Sequence, residues 1–284
     1  MPDVAATVAA LVTDAARRLR KAAVSEPRRE ALRLWASVTN GNAADVALRG
    51  EQLVDSATET RYELAVTRRS GGEPLAHVTG TVGFRGLDLI SDARALIPRP
   101  ETEGLVDLLL ERVRTGRVVD VGTGSGCIAL SLLQEGRFQE VVAVDRSHAA
   151  LALAKLNCEF SGLRANLVQG DLCEPLREGA FDALVSNPPY LTEAEYRGLD
   201  PSVGKWEPQL ALVSGADGMS ATKRLLDDGY RVLSAGGWLA LEVDCTRAAA
   251  TAAQASALGW QHMSVHLDLF GRERYLLARR STTR

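Results

Sequence analysis

Apolar residues at Val4, Val8, Leu11, Val12, Ala15 and Leu19 recur every three or four positions, which predicts an opening helix. Arg17, Arg18, Arg20 and Lys21 load its C-terminal end, where positive charge complements the helix dipole. Ser25-Glu26-Pro27 reads as a second helix start, because proline fits the first turn. Ala31, Leu32, Leu34, Trp35 and Val38 carry that stripe on until Asn40-Gly41-Asn42 closes it. Shorter helices are expected at 43–49 and 56–69, before Ser70-Gly71-Gly72-Glu73-Pro74 breaks the pattern. Residues 1–72 therefore read as a small helical domain without catalytic features. It is either a structural appendage or a surface that recognises a partner.

The period then changes. Val78, Val82, Phe84, Leu87, Leu89 and Ile90 alternate loosely with Gly80, Gly83 and Gly86, so residues 73–97 read as a β-hairpin linker. Leu96 to Glu103 forms a stiff loop, its arginine held between two prolines, and opens a helix from Gly104 to Arg114. From 117 onward, short apolar runs alternate with helical stretches. Strands are expected at 117–121, 140–144, 166–170, 181–185 and 238–243, with helices at 127–134, 147–160, 218–234 and 246–258. That alternation implies an α/β fold with a doubly wound, mostly parallel sheet over residues 98–284. Two final strands, near 260–267 and 273–280, have no room for a crossover helix and must form an antiparallel hairpin.

Composition narrows the class. With 46% hydrophobic and 24% charged residues, the chain has the make-up of a soluble globular protein. A formal net charge of −3 argues against broad, non-specific contact with nucleic-acid phosphates. The four cysteines and four histidines are scattered without metal-ligand spacing, so no metal is expected, and unpaired thiols suit a reducing cytoplasm. No apolar run approaches the ~20 residues that span a bilayer, so no membrane partner is expected.

Candidate chemistry sits at the strand ends. Gly122-Thr123-Gly124-Ser125-Gly126 follows the first strand of the sheet, and Asp145 ends the second, 19 residues beyond Gly126. Glycines there let backbone approach a ligand, and an acid at that spacing suits ribose hydroxyls. A dinucleotide pattern would need glycine at 127, where this chain has Cys127, and no phosphate-loop Gly-Lys-Ser/Thr follows. Asp171 ends the third strand, either capping a turn or facing a ligand beside Leu172. The fourth strand ends in Ser186-Asn187-Pro188-Pro189-Tyr190. Two prolines stop that strand and stiffen the chain into an elbow. The elbow is either a plain turn or a pair of acceptors, the Asn187 amide oxygen and a main-chain carbonyl, aimed at an outside N–H₂ group.

Asp120-x-Gly122-x-Gly124-x-Gly126 with Asp145, Asp171 and the antiparallel end resembles the class I S-adenosylmethionine-dependent methyltransferases, whose sheet has seven strands. The resemblance places Asp171 near the adenine, with Leu172 lining the pocket. Asn-Pro-Pro-Tyr after the fourth strand of such a fold is found in enzymes that methylate planar nitrogens of bases or glutamine amides. An amide nitrogen is a poor nucleophile because its lone pair is delocalised. Accepting both its N–H groups, through Asn187 Oδ1 and the Pro188 carbonyl, would return density to nitrogen and orient it. Tyr190 would stack on the planar acceptor.

Four further segments, Glu73 to Gly80, Leu96 to Glu103, Glu207 to Leu212 and Gly215 to Met219, together with Val185 to Tyr190, resemble the release factor glutamine N5-methyltransferases. The resemblance runs from about 73 to 280. It implies methylation of the glutamine in the Gly-Gly-Gln loop of class I peptide chain release factors. S-adenosylmethionine would be held by Gly122, Thr123, Gly124, Ser125, Gly126, Asp145, Asp171, Leu172 and Asn187, and the glutamine by Asn187, Pro188, Pro189 and Tyr190. Arg99, Pro100 and Thr102 would border the methionine end of the cofactor, and residues 1–72 would recognise the release factor. Two departures stand out: Leu241-Glu242-Val243-Asp244-Cys245 lacks the family's usual glycine, and Lys205-Trp206 replaces a smaller aromatic pattern. Methylation of N6-adenine or N2-guanine is the alternative acceptor chemistry. A non-catalytic binding protein would be expected to have lost Asn187 or the glycines.

Overall fold

The structure, a computed structural model, describes residues 6–42 and 44–282, so Val4 of the expected first stripe lies outside the described residues. The chain forms two compact units, one reaching Thr81 and taking in Asp200–Trp206, the other comprising Val82–Leu199 and the chain from Glu207 onward.

The first unit contains α1 (Val8–Lys21), α2 (Pro27–Thr39), α3 (Asp45–Arg49), α4 (Ser56–Ser70) and α5 (Leu75–Thr79). Val8, Leu11, Val12, Ala15 and Leu19 are buried together with Leu34, Trp35, Tyr62 and Val66, as the 3.6-residue period requires. Thr7 caps α1 by accepting from the Ala10 N–H at 3.3 Å, and Asp55 caps α4 by accepting from Thr58 at 2.9 Å. Ser25 does not cap α2; Glu26 occupies that position, and Pro27 starts the first turn. Asn40, at φ 50°, ends the helix in the left-handed conformation that asparagine tolerates. Tyr62 closes the core: its hydroxyl donates to the Ala31 carbonyl at 2.9 Å and its ring meets Trp35 edge-on at 5.2 Å. The stretch expected to be extended from residue 75 begins instead with the α5 turn, so Val78 packs on the helical core rather than in a strand.

The second unit opens with strands β1 (Thr81–Phe84) and β2 (Leu87–Ile90), which form a separate two-stranded sheet. Helix α6 runs Pro100–Arg112, starting four residues earlier than the pattern suggests. Pro100 supplies the first-turn φ, and Glu101 and Glu103 suit the positive end of the dipole. There follow β3 (Thr115–Val121), α7 (Cys127–Glu135), β4 (Arg137–Asp145), α8 (His148–Ser161), β5 (Asn166–Gln169) and β6 (Phe181–Ser186). Short helix α9 (Glu193–Arg197) and, on the stretch belonging to the first unit, α10 (Pro201–Gly204) precede α11 (Ser220–Val232), β7 (Leu233–Glu242), α12 (Ala248–Ala257), β8 (Gln261–Leu267) and β9 (Glu273–Arg279). Strand β7 begins five residues before the expected Trp238, and its pairing with β6 slips between Phe181 and Ala183, beside Gly236-Gly237.

The seven-stranded sheet has the order β5-β4-β3-β6-β7-β9-β8. Pairings from β5 to β7 are parallel, and β9 pairs antiparallel with both β7 and β8. The doubly wound sheet with its antiparallel end is the expected one. Chain direction across the sheet reverses between β3 and β6, where carboxyl strand ends leave a crevice. Among the described residues no helix is long and apolar enough to cross a membrane.

Removing only the Tyr62 hydroxyl tests the helical core. Tyr62→Phe removes the side-chain donor to the Ala31 carbonyl, which keeps its place in the helical ladder, and should destabilise this unit by about 0.5–1.5 kcal/mol, read by urea denaturation. An unchanged midpoint would show that the bond contributes nothing.

Candidate active site

Strands β3 and β6 are paired neighbours, with Asp120 opposite Val185, so the turns that follow them emerge side by side. Ser186 ties the two ends together by donating its hydroxyl to the Val121 carbonyl at 2.6 Å. Gly122, Gly124 and Gly126 take φ of 75°, 56° and 85°, conformations costly for other residues. The would-be side-chain position at Gly122 faces open space, whereas at Gly126 it meets Ala154 at 3.4 Å. Gly122 therefore leaves room for a ligand, and Gly126 lets α7 begin close to α8.

Asp145 holds this loop rather than standing free. Its Oδ2 accepts from the Gly124 N–H at 2.9 Å and its Oδ1 from Ser147 at 2.8 Å. Burial raises its pKa against the lowering effect of those bonds. Each carboxylate oxygen keeps a further lone pair for a ligand hydroxyl. Asp120, beneath the loop, accepts from the Thr123 hydroxyl at 2.6 Å and the Ala129 N–H at 3.2 Å through Oδ2. Its Oδ1 is buried without a hydrogen-bond partner, and burial pushes this carboxyl up to about 7.

A cavity of about 310 Å³ opens at these strand ends. It is within the range of small-molecule sites. Gly122, Thr123, Gly124, Ser125, Asp145, Asp171, Leu172, Asn187 and Pro189 line it, as do Arg99 and Thr102. Gly126, Pro188, Tyr190 and Pro100 do not. Asp171 is ion-paired with Arg224 at 2.8 Å, a partner from α11 that the local sequence pattern does not signal. Leu172 sits at φ 52°, a strained backbone for a leucine, on the cavity wall. Burial and the neighbouring Asp120 carboxylate push the Cys127 thiol up to about 12, so this wall offers no thiolate nucleophile. Among the described residues no cluster of His, Cys, Asp or Glu could hold a metal ion.

The elbow is built from both sides. After it, Leu191 donates to the Leu212 carbonyl at 2.9 Å and accepts from Ser214 at 2.8 Å. The loop before α6 is pinned by Glu207, whose carboxylate accepts from the Ile97 N–H at 3.0 Å and from Arg99 at 2.5 Å. Pro188 is buried, and Asn187 is half-buried. Asn187 Nδ2 donates to the Thr102 hydroxyl at 3.0 Å, and that hydroxyl donates to Glu242 Oε2 at 2.8 Å. Among the described residues no donor reaches Asn187 Oδ1 or the Pro188 carbonyl. Burial, then the Glu242 charge, push the Tyr190 phenol up to about 12, so it stays neutral. Glu242, in the segment that departs from the family pattern, is thus joined to the elbow. The segment lacking the family's glycine is well held: Asp244 accepts from the Thr246 N–H at 2.9 Å and pairs with Arg247 at 3.2 Å.

Comparison with known proteins settles the family. The model of a methyltransferase small domain matches residues 100–198, and that of the PrmC N-terminal domain matches residues 10–80. The release factor glutamine methyltransferase of Deinococcus radiodurans is 43% identical over 274 residues, covering 95% of this chain and 98% of the relative. The chain belongs to the release factor glutamine methyltransferase family. The family's protein from Nitratidesulfovibrio vulgaris is 38% identical, with 97% of this chain and 96% of that one aligned. Solved structures support the fold. A methyltransferase from Pyrococcus furiosus superposes with a TM-score of 0.54 at 19% identity, over 80% of this chain and 100% of its own. A T. thermophilus 16S rRNA methyltransferase, solved with AdoMet and guanosine, gives 0.50 at 21%, over 70% and 49% of the two chains. This chain therefore carries the family's methyltransferase fold and enzyme class.

The buried Asp120 carboxyl gives a pH test with a definite sign. Its folded value near 7 lies above the ordinary 3.8, so the native state binds the extra proton between those values. Stability from this group is complete below about pH 4 and lost as pH rises to about 7. Wild type should therefore lose stability relative to Asp120→Asn between pH 5 and 7, measured as the difference in urea midpoints. A difference that is flat across this range would contradict the assignment.

Proposed function

We propose that this protein methylates the side-chain amide nitrogen of the glutamine in the Gly-Gly-Gln loop of class I peptide chain release factors, with S-adenosylmethionine as donor. The observation that carries the reading is the pair of unclaimed acceptors, Asn187 Oδ1 and the Pro188 carbonyl, at the strand end adjoining the glycine loop. The relatives, release factor glutamine methyltransferases by name, suggest the acceptor protein.

The cavity fits the donor. Gly122 leaves open space at a close backbone approach, and Asp145 and Asp171 offer acceptor oxygens for hydroxyl and amine groups. Leu172 and Ile128 give apolar surface. When bound there, S-adenosylmethionine supplies an electrophilic methyl group on a sulfonium sulfur. Asn187 and Pro188 take the two N–H groups of the acceptor amide, drawing density onto nitrogen and fixing its direction. No carboxylate base is needed beforehand, because the amide proton becomes acidic only as the new N–C bond forms. Tyr190 covers the planar amide and excludes water. The N-terminal helical domain, residues 1–72, serves to recognise the release factor. The protein works in the cytoplasm and needs no metal.

Incubation with labelled S-adenosylmethionine should place label on the Gly-Gly-Gln glutamine of a release factor and none on duplex DNA or structured RNA. Label on nucleic acid alone would sink the reading. Asn187→Ala should lower kcat by about 100-fold or more, by analogy with loss of a preorganised polar group, while changing donor affinity little. Asp145→Ala should instead weaken donor binding by about 10-fold or more, measured calorimetrically. Normal turnover in the first variant would remove Asn187 from the chemistry.

A further inference from the structure

The Asn187 amide has two chemically opposite ends, and only one suits an acceptor that offers N–H groups. Its oxygen accepts; its nitrogen would meet the incoming N–H₂ donor to donor. The backbone elbow sets where the side chain begins, not which end points into the cavity.

Three side chains from distant parts of the sequence settle that choice. Asn187 Nδ2 lies 3.0 Å from Thr102 Oγ1, and Thr102 Oγ1 lies 2.8 Å from Glu242 Oε2. Thr102 and Glu242 are each 2% exposed, so water cannot take over either bond. An ionised carboxylate has no proton to give. Thr102 must therefore donate to Glu242, and the remaining face of its oxygen can only accept. The group that donates to it is then the amide nitrogen, which leaves Oδ1 on the cavity side.

Resting on the acceptor reading above, we propose that Glu242, acting through Thr102, is the positioning residue that fixes which end of the Asn187 amide faces the methyl acceptor. The scaffold fits this role. Gly104 lets the start of α6 press against β9: a side chain there would meet the Tyr275 hydroxyl at 2.7 Å. That hydroxyl donates to the Glu101 carbonyl at 2.5 Å, which holds Thr102 against the end of β7. Burial pushes Glu242 up to about 7 against the Thr102 hydroxyl bond and the Arg274 and Arg99 charges, which favour the carboxylate, while Glu101 adds to the rise. At pH 8 the carboxylate is the main form.

The test, run at pH 8, uses Thr102→Val, Thr102→Ser and Glu242→Gln in the full chain. Val removes the hydroxyl and should lower kcat about 10- to 100-fold, the scale of a misplaced reacting group, with KM for the release factor changed less than 3-fold. Ser restores the hydroxyl and should recover most of that loss. Gln can either accept or donate, so both amide orientations become populated and kcat should fall about 2- to 10-fold. Wild-type kcat in Thr102→Val, or no recovery with Ser, would overturn the proposal. A readout without acceptor separates it from the functional reading. The Asn187 side-chain N–H₂ protons should exchange slowly with water in wild type and at least about 10-fold faster in Thr102→Val. If wild type modifies no release factor, the functional reading fails, and this exchange ratio still decides the positioning claim: equal rates refute it.

Discussion

Parallel pairing of β3 with β6 is the constraint on which the site depends. Asp120 stands opposite Val185, so the glycine loop that follows one strand and the proline elbow that follows the other share a single crevice. The Ser186 hydroxyl, bonded to the Val121 carbonyl at 2.6 Å, prevents those two ends from splaying. Because both strands are buried, a register slip would exchange core and crevice positions and cost many apolar contacts. The glycine loop and the proline elbow are therefore set against each other by the sheet core rather than by the loops.

A second layer refines that placement. Asp145 stitches the glycine loop to the end of β4, Glu207 braces the loop before α6, and Glu242 reaches the elbow through Thr102. All three carboxylates spend hydrogen-bonding capacity on holding protein groups in place. Burial of polar groups at this density is costly unless each is satisfied. The unpartnered Asp120 Oδ1 and the strained Leu172 backbone lie in or beneath this same crevice, where such costs collect in functional sites.

Much of this was legible in the chain. Strand-helix alternation, the glycine turn and the double proline are local signals, and the doubly wound sheet with its closing hairpin follows from the alternation and the short final connection. The Asn187 elbow is readable because the prolines that end β6 sit beside it in sequence. The Asn187–Thr102–Glu242 line is not, since 102, 187 and 242 meet only through tertiary packing. Its one local trace is an acid, Glu242, closing an otherwise apolar strand. The spacing that marks Asp145 gives no sign of the bonds that Gly124 and Ser147 donate to it. Tyr190 and Pro188, placed at the site by motif, lie outside the cavity lining, although the elbow positions them next to it.

The most direct test of the central claim is a crystal structure of the protein with S-adenosylhomocysteine and a Gly-Gly-Gln peptide. The glutamine amide nitrogen should lie within about 3 Å of both Asn187 Oδ1 and the Pro188 carbonyl, with Asn187 Nδ2 still on Thr102. A glutamine seated away from the elbow, or an Asn187 amide turned so that Nδ2 faces it, would contradict it.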